Sequence, residues 1–301
     1  MKYDPQAVRR FAESLAAASG NLPVALVEKD VWITYMLREI YSLPESKFLA
    51  FKGGTCLVKA YFGYYRFSED IDLTWTGGKI KERDFRGKVI GKLMVELGLQ
   101  WDKEKVKTGI AGTQSGRVMS YFLLAPTASG SPTKLKVTVD FNEKLEFGLN
   151  QVKLKPPFPQ YPQKETKALF GRVAEDYFNA PTVPCYSLQE IACEKIRAIL
   201  TRKQQLTRSR DIVDLQVISG RLGGLGKAAP KKQAKAKLSP ALKNPSHKKE
   251  YDRATQDLER HLNELAAQAG QDPIFIEKPN AVRLSKFAGE LGEYVKQIIN
   301  D

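Results

Sequence analysis

Two aspartates one residue apart, Asp70 and Asp72 in the run SEDIDLTW, set the first chemical constraint on this chain. Alternate side chains of a strand leave opposite faces. Asp70, Asp72 and Thr74 therefore share one face, and Ile71, Leu73 and Trp75 share a core-facing one. Carboxylates that close repel each other unless a cation lies between them, and their hard oxygens suit magnesium or manganese. A solvated strand face with two ordinary acids is the plainer explanation of the pair taken alone.

Upstream lies Gly53-Gly54-Thr55, with fourteen residues between Thr55 and Asp70. The double glycine lets the backbone turn sharply with its N–H groups exposed, and Thr55 can open the next helix and add a hydroxyl. Free amides at a helix start form an anion seat suited to phosphate. A G-G-T alone is a weak signal. Followed after one helix by the carboxylate pair, it sets a phosphate seat beside a metal site. A third acid, Asp140, ends KLKVTVDF, where Leu135, Val137, Val139 and Phe141 alternate with Lys134, Lys136, Thr138 and Asp140. It reads equally as a third metal carboxylate or as a surface acid, and Lys136 reads as a solvated partner. Ser68 and Arg66 are candidate phosphate contacts, although a structural role suits both better.

Lys195 is the oddest residue. In a helix spanning SLQEIACEKIRAIL it falls at the centre of the apolar stripe of Leu188, Ile191, Ala192 and Ile199. A lysine there is costly unless its ammonium reaches an anion. It either snorkels past the core edge or is aimed by its helix at phosphates or metal-binding carboxylates. Arg202 continues the stripe, and Arg208, Arg210, Asp211 and Asp214 open a further helix, where Asp211 also complements the helix dipole. Glu28 flanks another apolar stripe, that of Val24, Val27, Val31 and Tyr35, and is read mainly as an edge residue.

The elements that position these groups follow from periodicity. Residues 4–43 read as two helices separated by SGNLP, with Asn21 as a cap and Pro23 in a first turn. The second carries Leu26, Ile33, Leu37 and Ile40 opposite the Val24 stripe, so both its sides should be covered. KFLAF, the KGGT turn, CLVKAYFGYY and SEDIDLTW read as strand, turn, helix and strand. Residues 82–98 read as helix, RVMSYFLLA and KLKVTVDF as strands, and KPPFPQYPQ as a proline-rich crossing segment. Helix returns from Ser187 to about residue 218, with a break near LTRSRD, and again over about 250–300. Residues 227–249 hold eight lysines and no acid. This composition predicts a loop, either solvated and mobile or gripping a polyanion.

The 301 residues, 42% hydrophobic and 27% charged, describe a soluble globular chain with room for two domains. No apolar run approaches a membrane span, and MKYDPQAVRR leads into no signal-peptide core, so the expected location is the cytoplasm. Cys56, Cys185 and Cys193 include no C-x-x-C pair and read as reduced packing residues. A count of two histidines argues against an imidazole-ligated zinc or iron centre. A net charge of +14 favours polyanionic partners such as RNA or nucleotides.

G-G-T, the RFSEDIDL element, VEKDVW at Val27–Trp32, the later lysine and RSRDIVDL together resemble the AbiEii/AbiGii toxin family of nucleotidyltransferases, within the polymerase-beta-like superfamily. The resemblance spans most of the chain. It implies an α+β fold: a nucleotidyltransferase core with a mixed sheet at 46–180, N-terminal helices (1–45) packed on it, and a helical C-terminal domain at 181–301 with a basic flexible loop at 221–250. It further implies that Gly53, Gly54 and Thr55 hold the triphosphate of an NTP substrate and that Asp70 and Asp72 hold magnesium or manganese. Asp140 would be the third acid, and Lys195 and Asp211 the remaining active-site positions. A role in a toxin–antitoxin or phage-defence pair follows, with a cognate antitoxin and, most naturally, tRNA as acceptor. A noncatalytic RNA- or antitoxin-binding protein, or transfer to a protein or small molecule, is the alternative.

Overall fold

Asp4 starts the first helix, α1 (Pro5–Ala18), its carboxylate accepting from the amides of Gln6 at 3.3 Å and Ala7 at 3.2 Å. Pro5 in the first turn sacrifices no helical bond. In α2 (Val24–Ser42) Val27, Val31 and Tyr35 are buried on one side and Ile33, Leu37 and Ile40 on the other, so this helix is covered all round. The computed structural model describes every residue except 1, 21, 79, 81, 104–117, 156–162, 204–208, 273 and 301, and the side chain of Glu82. The Asn21 cap, Arg208 and most of the proline-rich segment lie outside the described residues.

The chain forms two compact units, Met1–Glu143 with Leu149–Cys185, and Lys144–Gly148 with Tyr186–Asp301. The first is built on a seven-stranded mixed sheet: β1 (Leu49–Lys52), β2 (Asp70–Trp75), β3 (Gln100–Trp101), β4 (Val118–Ala125), β5 (Thr133–Asp140), β6 (Leu149–Lys153) and β7 (Thr182–Tyr186). Their order is β3-β4-β5-β2-β1-β7-β6. β1 and β2 run antiparallel, β2 and β5 parallel, and β1 and β7 parallel. The architecture is α+β. Ile71, Leu73, Val137 and Val139 are fully buried, as their alternation requires.

β1 gives way at once to a helix that opens as α3 (Gly53–Cys56) and widens into a π-helical stretch, Leu57–Phe62, ending at Gly63 with φ +75°. β6 and β7 have no counterpart in the sequence reading. β7 is five residues long and carries Pro184, which spoils a strand pattern.

The second unit is helical. Leu188–Thr201 packs against Lys231–Leu242 and Pro245–Gln256, and Leu258–Ala269 against Ala281–Asn300. The basic loop expected at 221–250 is a correction: this stretch is largely helix, with Leu225–Ala228 between Gly224 and the Lys231–Leu242 helix. Ala234 and Leu238 are buried, and the buried Lys237 ammonium pairs with Glu190 and the Lys144 carbonyl. An acid 47 positions away thus supplies what the run itself lacks. Asn244 caps the following helix by accepting from Ser246 and His247.

Cys56, Cys185 and Cys193 are buried thiols. Burial pushes Cys193 up to about 12, far from a reactive thiolate. Among the described residues, no helix is long and apolar enough to cross a membrane.

Candidate active site

The acid face of β2 is set by register. Lys52 pairs with Asp72, Asp70 with Lys136, Asp72 with Thr138, and Thr74 with Asp140. Directly paired residues of neighbouring strands point the same way, so Asp70, Asp72 and Asp140 share one face with Lys52, Lys136 and Thr138. The Lys136 ammonium lies 3.5 Å from Asp70, and that of Lys52 lies 3.8 Å from Asp140. Asn142 donates its amide to Asp140 at 2.9 Å, which fixes the carboxylate at the end of β5.

The glycines lie against this face. Gly53 has φ +77°, and a Cβ there would stand 2.4 Å from Oδ2 of Asp72. A Cβ on Gly54 would stand 2.3 Å from Nη2 of Arg66. The first glycine thus abuts a metal-type carboxylate and the second a buried guanidinium. Arg66 is held by the Phe67 carbonyl at 2.9 Å and stacks over Tyr65. Gly53→Ala is expected to cost about 1–3 kcal/mol, from positive-φ strain and the clash with Asp72. A urea titration reads the cost as a lowered midpoint at unchanged slope.

Thr55 is almost wholly buried, and its hydroxyl reaches both the Ser68 hydroxyl, at 2.7 Å, and the Asp70 carbonyl. The two hydroxyls pin the entry to β2 to the start of α3. Thr55 therefore positions Asp70, while the Arg66 guanidinium lies against Gly54.

The helix after the glycines is anchored beneath by a group the sequence reading did not single out. Lys59 is fully buried, 2.7 Å from Asp30 and 2.8 Å from the Thr34 hydroxyl, and Tyr177 donates to Asp30 at 3.0 Å. Burial lowers the Lys59 pKa, and Asp30 works against that fall. Burial first, then Asp30, holds Tyr64 and Tyr177 well above the usual phenol range. Lys52 also escaped notice, although the β1 alternation carries the signal: Phe51 pairs with the core residue Leu73, so Lys52 belongs to the acid face.

Among the described residues, no group of three or more His, Cys, Asp or Glu is close enough to hold a metal ion by itself. The donor set is the Asp70–Asp72 pair with Asp140 on the adjoining strand β5, hard oxygens on a face backed by Gly53. Its chemistry fits a magnesium- or manganese-type cation.

In the second unit Lys195 lies 2.5 Å from Asp211 and 2.8 Å from the fully buried Asp214, and Arg202 reaches Asp211 at 3.3 Å. The ammonium that interrupts an apolar stripe thus meets two carboxylates of the Arg210–Leu222 helix. Glu28 is buried and paired with Arg9 at 3.1 Å, a structural role.

A glycine turn, an acid pair one helix later and a mixed sheet define a nucleotidyltransferase-type core. The chain belongs to the AbiEii family of nucleotidyl transferase toxins of type IV toxin–antitoxin systems, whose family model matches residues 35–286. Its fold is similar to that of MenT4, a nucleotidyltransferase toxin from Mycobacterium tuberculosis H37Rv, at TM-score 0.51 and 17% identity, covering 99% of this chain and 97% of that one. A more distant likeness, at TM-score 0.34 and 16% identity, is to an antigenic nucleotidyltransferase-like protein from Paracoccidioides brasiliensis, covering 73% of this chain and 90% of that one. No curated protein matches the sequence.

Proposed function

We propose that this toxin moves a nucleoside monophosphate from an NTP to a hydroxyl of an RNA, with tRNA the expected acceptor, in a metal-dependent reaction that releases pyrophosphate. The observation that carries the reading is the placement of Asp70, Asp72 and Asp140 on one sheet face with Gly53 directly against Asp72. Asp70 and Asp72 hold the divalent cation, which when bound supplies charge stabilisation to the entering and departing oxygens. Amides at the Gly53–Gly54 turn and the guanidinium of Arg66 receive the triphosphate. Asp140 would join them in holding the cation on the side of the acceptor hydroxyl, or take that hydroxyl's proton. An acceptor O–P bond forms at the α-phosphorus, the bond to the β-phosphate oxygen breaks, and pyrophosphate leaves with that electron pair. Thr55 and Ser68 keep Asp70 in place, while Lys195 and Asp211 enter through the family resemblance.

The RNA acceptor is supported by the net charge of +14 and by the exposed Lys232, Lys235 and Lys249 of the basic helices and Lys243 of the turn between them. Affinity for RNA should therefore fall steeply with salt. A cytoplasmic location, a cognate antitoxin and a part in phage defence complete the proposal. The test incubates the protein and Asp72→Asn with each α-labelled NTP, magnesium and total tRNA. Label on RNA, lost in the variant, is the expected result. RNA retained without label by both proteins means a noncatalytic binder, and label on protein or a small molecule moves the acceptor class.

A further inference from the structure

We propose that Lys52 is a built-in counter-ion of the acid face, so that a divalent cation binds there only by displacing its ammonium. β2 lies between β1 and β5 in the sheet. Lys52, at the end of β1, nevertheless brings its ammonium within 3.8 Å of Asp140 on β5. The side chain therefore crosses over β2 on the face that carries Asp70 and Asp72, starting opposite Asp72 itself. Its ammonium thus lies on the acid face against Asp140, the third acid of the proposed site. Both partners are largely withdrawn from water, with side chains 11% and 15% exposed, so the charge is weakly screened.

Lys136 differs: its side chain is 33% exposed and its partner Asp70 25% exposed, so solvent screens that pair. Lys52 also immediately precedes Gly53-Gly54, and an ammonium displaced from the acids starts beside the turn proposed to receive phosphate. Metal and nucleotide then help each other to bind, because each offers what the other's arrival requires: the cation relieves the carboxylates of Lys52, and the triphosphate gives Lys52 a new anion.

This inference rests on the proposed metal site, and its test reads metal alone. The 301-residue chain, Lys52→Met and Lys52→Arg are titrated with manganese in the absence of nucleotide, by electron paramagnetic resonance of the free ion, with circular dichroism to confirm folding. Deleting a positive charge this close to the donors should tighten manganese binding about tenfold or more. Lys52→Arg, which keeps the charge, should bind as weakly as the parent. Should Lys52→Met fail to fold, Lys52→Gln takes its place with the same expectation. Equal affinity in the parent and the neutral variant overturns the counter-ion role and leaves the metal site standing. Tightening by Lys52→Arg as large as by Lys52→Met also overturns it, since packing rather than charge would then be responsible. No manganese bound by any variant removes the metal reading itself.

Discussion

Asp72→Asn lowers nucleotidyl transfer by about 10³-fold or more, the several kcal/mol that a correctly held cation supplies at about 1.4 kcal/mol per tenfold. The variant keeps the shape of the side chain that Gly53 packs against and deletes only its charge. Its unfolding midpoint in urea should stay within about 0.5 kcal/mol of the parent's equivalent. Loss of turnover with retained stability marks Asp72 as chemical. A joint fall of both would mark it as structural and transfer its weight to the turn geometry. The assay is label incorporation from the preferred NTP, run beside the urea titration of the same preparation.

Lys59→Met is the largest stability effect expected in the first unit, about 3–5 kcal/mol, because it strands Asp30 in the interior without its cation. Asp30 keeps the Tyr177 hydroxyl at 3.0 Å, which does not neutralise a buried carboxylate. Pairing the change with Asp30→Leu removes the orphaned charge and should recover much of the loss, as buried ion pairs replaced by apolar groups of similar volume often do. The urea midpoints of the two singles and the double form the cycle that measures the coupling. Function follows from position. Lys59 lies in the helix that Gly53 and Gly54 open, so the single variant should also lose transfer activity at temperatures where it remains folded, through a loosened glycine turn.

The acid face was legible because strand alternation is a local property. Reading Asp70, Asp72 and Asp140 on polar faces needed only the phase of two strands, and the register of β2 on β5 then placed those faces side by side. Lys52 was harder, since its direction depends on β1 extending through it and pairing antiparallel with β2, a long-range fact. Asp30 and Lys59 stayed hidden for a related reason: each looks like a solvated helix residue until its partner, 29 positions away, is brought against it. Lys195 announced itself as misplaced, but the anions that satisfy it, Asp211 and Asp214, are those of its own unit. The lysine-rich stretch misled most. Its composition argued for a loop, whereas Ala234, Leu238 and the Lys237–Glu190 pair give its helix a buried side that no local count of acids reveals.

The central claim is that the face shared by Asp70 and Asp72, beside Gly53 and Gly54, seats a divalent cation and a triphosphate. The most direct measurement is anomalous diffraction at the manganese edge from crystals grown with manganese and a non-hydrolysable NTP. The account predicts a manganese peak within coordination distance of both Asp70 and Asp72, with phosphate density at the Gly53–Gly54 amides. Manganese bound elsewhere, or a nucleotide seated away from those glycines, would contradict it.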